Sequence, residues 1–155
     1  MATKFSLDFK GYDFYLRMLT AYNADVQKIA ERALTETQKI VQNAVETAIV
    51  KPNLPAQGKY SHDALDRSVI RTADITWKGT EAEVPVGFWL YKRKNPNASW
   101  DSIWMMYGRK NARTGDVAKV QEIYDAIYGD EVRGEVAAAQ HKIFSDALKE
   151  VWDGS

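Results

Sequence analysis

From Ala24 to Val50 the chain places Val26, Ile29, Ala30, Ala33, Leu34, Thr37, Ile40, Val41, Ala44, Val45, Ala48 and Ile49 on one stripe when read at helical spacing. The steps between them are only threes and ones, the pattern of an amphipathic helix with one buried face. The opposite face carries Gln27, Lys28, Glu31, Arg32, Gln38, Lys39, Gln42, Asn43 and Glu46. Asn23 is placed to cap this helix, with Asp25 in the first turn, where the helix dipole favours a negative charge. Pro52 stops it, because a residue before proline, here Lys51, is pushed out of helical geometry. At about 1.5 Å per residue the rod is about 40 Å long. That exceeds what a core of this size needs, so one end is expected to project or to be covered by another element.

The remaining segments are read by what they can pack on that rod. Lys4 to Lys10 alternates, with Phe5, Leu7 and Phe9 to one side, and predicts a half-buried strand ended by Gly11. Asp13 can cap a short helix using Phe14, Leu16, Met18 and Leu19. After the Pro52–Gly58 loop, Asp63 to Arg67 predicts one helical turn and Ser68 to Trp77 a strand. Lys78-Gly79 then turns into a second strand, Thr80 to Leu90, with Ala82, Val84 and Val86 on one face. Pro85 removes a backbone donor there and points to an edge position or a bulge. Val117 to Tyr128 reads as a helix with Val117, Val120, Ile123, Tyr124, Ile127 and Tyr128 on its stripe. Asp130 to Trp152 reads as a last helix using Val132, Val136, Ala139, Ile143, Ala147, Leu148, Val151 and Trp152. The expectation is an α+β fold in one domain over residues 1–155: a long helix in the N-terminal half packed on a small antiparallel sheet, with additional C-terminal helices. Residues 88–115 are expected as a projecting loop and interface region, and 130–152 as the C-terminal helix.

Charge is balanced overall but not along the chain. Formal net charge is zero, so no global attraction to nucleic acid or to an acidic membrane operates. Between Phe88 and Arg113, however, Lys92, Arg93, Lys94, Arg109, Lys110 and Arg113 face Asp101 alone. From Thr114 onward the acids Asp116, Glu122, Asp125, Asp130, Glu131, Glu135, Asp146, Glu150 and Asp153 outnumber Lys119, Arg133, Lys142 and Lys149. Opposite charge on successive segments suits self-association or intramolecular pairing. With no cysteine there is no disulfide, thiolate metal site or cysteine nucleophile. No secretory signal pattern opens the chain, and no apolar run approaches the roughly 20 residues that span a bilayer. The expectation is a protein that works where it is made, or inside an assembly built there, with no membrane partner.

Chemistry-bearing patterns are sparse. His62-Asp63 with Asp66 can be drawn as an acid–base or metal cluster, but a helix cap beside a solvated turn explains the same residues. His141 has Glu135 and Asp146 nearby and no second histidine at ligand spacing. Gly58-Lys59 lacks the spacing of a phosphate loop, and no dinucleotide fingerprint or serine-nucleophile motif occurs. No catalytic residue, metal site or cofactor is therefore assigned. The strongest binding candidate is the cationic set Lys92, Arg93, Lys94, Arg109, Lys110 and Arg113, interleaved with Trp89, Tyr91, Trp100, Trp104 and Tyr107. Aromatics of this kind can stack on nucleic-acid bases. The alternative gives the aromatics to the core or to a subunit interface, and lets the basic loop dock on the acidic last helix of a neighbouring copy.

The order of features is similar to a known family. A short alternating strand leads into Gly11-x-Asp13 and a small helix with Leu16 and Leu19, then a long Ala-rich helix ending at a proline loop. Pro55-x-x-Gly58 followed by Leu65-x-x-Ser68-Val69 opens a strand pair, and Val86-Gly87 ends a strand. This resembles the tail-completion or neck (head–tail joining) proteins of siphovirus-type tailed bacteriophages, whose proline loop typically reads Pro-x-x-Thr-Gly-x-Leu-x-x-Ser-Ile. Gln57 stands here in place of the threonine, and Lys59 to Ala64 widen the gap before Leu65. Trp104-Met105-Met106-Tyr107-Gly108 looks like the family's aromatic-Gly segment, with Tyr107 where a glutamate often stands. The resemblance implies a non-enzymatic virion component: an α+β subunit of a six-fold ring, or of a twelve-fold one, between the connector or stopper and the tail terminator or tail tube. Such a ring, built in the bacterial host cytoplasm, leaves a channel for double-stranded DNA passing without sequence specificity. Interface or channel residues then come from Lys92, Arg93, Lys94, Trp100, Trp104, Tyr107, Arg109, Lys110 and Arg113. Two other readings stand beside it, a small nucleic-acid-binding module using the basic loop 92–113 and a hydrolase centred on His62.

Overall fold

The computed structural model describes residues 3–7, 13–21, 25–72, 74–78, 81–89, 101–111, 113 and 115–153. In chain order these form β1 (Thr3–Leu7), α1 (Asp13–Ala21), α2 (Val26–Ala48), α3 (His62–Ser68), β2 (Thr76–Lys78), β3 (Glu81–Val86), α4 (Asp101–Tyr107), α5 (Gln121–Tyr128) and α6 (Asp130–Asp153). The class is α+β, with the long helix against a small antiparallel sheet and further helices toward the C-terminus.

α2 is the rod read from the sequence, and its stripe is the core. Ile29, Ala30, Ala33, Leu34, Thr37, Val41, Val45 and Ala48 are buried along it, and Ile49 just beyond it. Each large apolar side chain among them stabilises the fold by about 1.5–3 kcal/mol relative to exposure. The helix starts at Val26, two residues later than a cap at Asn23 would give, because Asp25 is itself the cap: its carboxylate accepts the Lys28 N–H at 3.1 Å. The expected cap, Asn23, lies outside the described residues. Neither end of α2 stands free of the core, since burial runs from Ile29 to Ile49.

Two layers cover α2. On one side lies the sheet, ordered β1-β3-β2 and antiparallel throughout, with Thr3 opposite Val86 and Trp77 opposite Ala82. β3 alternates as its sequence predicts, with Ala82, Val84 and Val86 buried. Pro85 sits in this central strand, yet β2 has ended by then, its last pair being Thr76 with Glu83. Proline there has a neighbour strand on one side only, opposite Lys4, so the missing donor disrupts no second ladder. The indole of Trp77 donates to Glu31 Oε1 at 3.0 Å, and Gln38 Nε2 donates to the Ile70 carbonyl at 2.8 Å. Helical spacing puts Gln38 on the polar face; it is in fact buried and serves a backbone acceptor that the sheet leaves unpaired.

On the other side lie α5 and α6. Gln140 Nε2 donates to Thr37 Oγ1 at 2.8 Å, and Thr37 donates on to the Ala33 carbonyl at 2.8 Å. A groove between α2 and α6 is lined by Thr47 and Ala48 at the end of α2 and by Asp130 and Glu131 at the start of α6, so the two helices run antiparallel. The α6 seam is Val132, Val136, Gln140, Phe144 and Ala147. Spacing favours Ala139, Ile143 and Trp152 instead. The first two are half-buried beside the seam and Trp152 is 58% exposed, because α6 turns its Phe144 edge to α2.

Three further expectations are corrected. Ser68 to Trp77 is not one strand: Ser68 ends α3, Val69 makes a single bridge to Phe88, and β2 begins only at Thr76. Between them Arg71 is drawn aside into ion pairs with Glu46 at 3.0 Å and Asp66 at 2.8 Å. The helix expected from Val117 starts at Gln121, because Val117 pairs with Arg109 and the Val120 N–H is taken by the Met105 carbonyl at 2.7 Å. Segment 88–115 does not project as a whole, since Phe88, Met105 and Met106 are core residues. The expected continuation of the first strand to Lys10, and the Lys78-Gly79 turn beyond Lys78, fall partly outside the described residues.

At Gly87 the fold demands the absence of a side chain. Its φ is +91°, its carbonyl accepts the Ile70 N–H at 2.8 Å, and a Cβ would stand 2.8 Å from Ile127 Cδ1. Gly115 has a similar φ of +87° with nothing within 4 Å of the same construction. Gly87→Ala is expected to cost about 2 kcal/mol or more, combining backbone strain with overpacking. Gly115→Ala should cost less. Urea midpoints of the two variants check this, and an equal loss in both would show that Ile127 yields freely.

Candidate functional site

The candidate residues that fall among those described gather where α4 hands over to α5. α4 ends at Tyr107 because Gly108 takes a φ of +78°, its N–H returning to the Trp104 carbonyl at 2.7 Å. The chain then forms a tight hairpin. Arg109 and Val117 exchange both backbone hydrogen bonds, at 2.8 and 2.7 Å. At its tip Asp116 Oδ1 accepts the Asn111 N–H at 2.9 Å, Asn111 Oδ1 accepts the Arg113 N–H at 2.8 Å, and the Gly115 N–H reaches the Asn111 carbonyl at 2.9 Å. Asn, Asp and Gly thus supply the turn chemistry, and Lys110 and Arg113 are left exposed on its outside.

Aromatic rings floor this hairpin. The Arg109 guanidinium lies 5.1 Å from the centre of the Trp104 ring, and its buried Nε finds no acceptor among the described residues. Lys119 Nζ stands 4.3 Å from the Tyr124 ring centre. Cation–π contacts of this kind contribute about 0.5–2 kcal/mol, more as water is excluded. Tyr107 meets Tyr124 edge-on at 5.8 Å and Tyr128 at 6.5 Å, while Tyr124 and Tyr128 stand 5.1 Å apart. Tyr107 remains 51% exposed. Its hydroxyl is pushed up from the ordinary 10.0 to about 12, first by a hydrogen bond to Tyr128, then by burial and the neighbouring phenols.

Of the residues singled out from sequence, Trp104, Tyr107, Arg109, Lys110 and Arg113 are brought together. Lys92, Arg93, Lys94 and Trp100 lie outside the described residues. Lys119, Tyr124 and Tyr128 join the group without having been anticipated, since helical spacing assigns both tyrosines to the core. The usable signal is their separation by four, which stacks them on one flank of α5 opposite a tyrosine that precedes a helix-ending glycine. At about 100° per residue, α5 turns Ile123, Ala126 and Ile127 into the core, Tyr124 and Tyr128 to one flank, and Glu122 and Asp125 to the other.

The histidines do not join this edge. His62 opens α3 immediately after Ser61, whose Oγ caps the helix by accepting the Ala64 N–H at 3.1 Å. Asp63 pairs with Arg67 at 3.3 Å and Asp66 with Arg71 at 2.8 Å. His141 is exposed on α6. No protein-family model, curated protein or solved structure matches the chain. Among the described residues no group of three or more His, Asp or Glu is placed to hold a metal ion, and no helix is long and apolar enough to cross a membrane.

The Tyr107 phenol gives the edge a measurable signature. A pKa raised in the folded state means that the associated stability is fully present below pH 10 and is lost as pH rises toward 12. An ultraviolet phenolate titration of the native protein is expected to show a late-titrating component that disappears in Tyr107→Phe. A titration in which Tyr107→Phe removes an ordinary tyrosine would show that the Tyr128 hydrogen bond does not form.

Proposed function

We propose that the chain is a structural, non-enzymatic virion protein of a tailed bacteriophage, a subunit of the head–tail connector that completes the tail as a ring around the DNA channel. The observation that carries this reading is the placement of the residues that bear the family resemblance. Leu65, Ser68 and Val69 are buried, and Gly58 and Gly87 both need positive φ. The two halves of the pattern, distant in sequence, are hydrogen-bonded neighbours: Ile70 N–H donates to the Gly87 carbonyl at 2.8 Å, and Trp89 N–H to Ser68 at 2.7 Å. Short matches that converge on one packed unit support a shared fold better than the same matches scattered over a surface.

The partners in this reading are further copies in a six-fold ring, the connector or stopper on the head side, and the tail terminator or tail tube. Double-stranded DNA would pass through without sequence readout, past a lining that must be polar without dense phosphate contacts, which would hold the DNA back. Its place is the virion neck, assembled in the host cytoplasm. Removing the gene from its phage is expected to leave filled heads and separate tails, with joining restored by the purified protein. Normal virions from the deletion would sink the proposal.

One observation favours a second reading, a nucleic-acid-binding module: half-exposed Tyr107 stands at the edge that carries Arg109, Lys110 and Arg113. It predicts binding to single-stranded DNA at low salt, with the log–log salt slope falling by about one for each phosphate contact removed in Lys110→Ala and Arg113→Ala. Absence of binding at low salt disposes of it.

A further inference from the structure

On the flank of α5 away from the tyrosines, a groove of about 750 Å³ opens between the C-terminal half of α2 and the first turns of α6. Its floor is apolar, from Ile40, Ala44 and Val132. Its rim holds five carboxylates, Glu122, Asp125, Asp130, Glu131 and Glu135, against one cation, Lys51. Helix dipoles favour acids in first turns, which accounts for Glu122, Asp130 and Glu131. They do not account for Asp125, in the last turn of α5, or for Glu135, past the first turn of α6. Gln121 donates to one oxygen of Asp125 at 2.8 Å; among the described residues the other four carboxylates have no ion-pair partner.

The other flank of α5 carries the reverse charge. From Arg109 to Lys119 there are four cations and one carboxylate, Asp116; Lys110 and Arg113 stand exposed on the hairpin, while Arg109 and Lys119 lie over Trp104 and Tyr124. α5 stands between hairpin and groove, so neither can satisfy the other within one chain. We infer that the groove receives the Arg109–Val117 hairpin of a second copy, in a head-to-tail contact. Arg113 suits the floor and the rim together, its alkyl stem lying on apolar surface while the guanidinium reaches a carboxylate. Each such contact leaves a groove free at one end and a hairpin free at the other, so copies add in one direction until the rotation closes. The inference concerns the isolated chain and goes beyond the neck reading, although it would supply that ring with its contact.

Charge reversal tests it. One variant carries Glu122→Lys, Glu131→Lys and Glu135→Lys; a second carries Lys110→Glu and Arg113→Glu, all at exposed positions. Sedimentation at low salt is expected to show the native chain associating, with the apparent Kd rising about tenfold at high salt as the charges are screened. Each variant alone should be monomeric under the same conditions, because its groove and hairpin then share a sign. An equimolar mixture should associate again, because each variant offers the other opposite charges. On the native chain, carbodiimide should join Lys110 to a groove carboxylate between isotopically distinct copies, a readout independent of how the variants fold. A monomeric native chain at millimolar concentration, variants that associate as the native chain does, or a folded mixture that stays monomeric would each overturn the inference. A native monomer would still leave the neck reading to the phage deletion, and normal virions from that deletion would leave this contact standing.

Discussion

The structure depends on burying α2 around about half of its circumference. A helix with an apolar stripe this broad cannot be satisfied by one neighbour. The sheet takes the side marked by Glu31 and Gln38, and α5 and α6 take the side marked by Thr37 and Ala44. Everything else follows as a connection between those two layers. α3 and the Val69–Phe88 bridge tie the end of the rod to β3, and α4 with its hairpin returns the chain from sheet to α5.

Where burial is one-sided, periodicity reveals the fold. The stripe of α2 and the alternation of β3 are legible because each element keeps a polar face apart from the face it buries. Legibility fails where backbone groups find partners outside their own element. Val117 and Val120 sit at helical spacing from Ile123 and Ile127, but their N–H groups go to Arg109 and Met105, so the helix begins after them. Gln38 and Gln140 are polar residues used inside the core, where they hydrogen-bond to the Ile70 carbonyl and to Thr37, and no pattern of apolar spacing can announce that. Phe144 escapes the apolar spacing for a related reason. Once Gln140 belongs to the seam, the stripe of α6 shifts by one residue, and Phe144 rather than Ile143 becomes its largest buried member.

The candidate edge was half legible. Its charges are visible as a run of cations, and Trp104 and Tyr107 as large groups before a glycine. Its construction is not visible, because the Tyr107–Tyr124–Tyr128 cluster needs two helices that meet only through tertiary contact. The edge also explains why so many aromatic groups can sit near the surface. Trp104 and Tyr124 are covered by Arg109 and Lys119, so that charge rather than hydrocarbon meets water.

The Thr37–Gln140 hydrogen bond has a mechanical consequence for the pairing of α2 with α6. Ala33, Ala44 and Ala48 lie on the same side of α2 as Thr37 by helical spacing and offer shallow, nearly equivalent notches. α6 follows α5 across Gly129 alone, so it cannot shift along α2 without taking α5 with it. Any such shift would pull the Gln140 amide off Thr37, at a cost of about 1–3 kcal/mol where no other group replaced that bond. A single amide therefore acts as a detent that holds both helices in register on the rod.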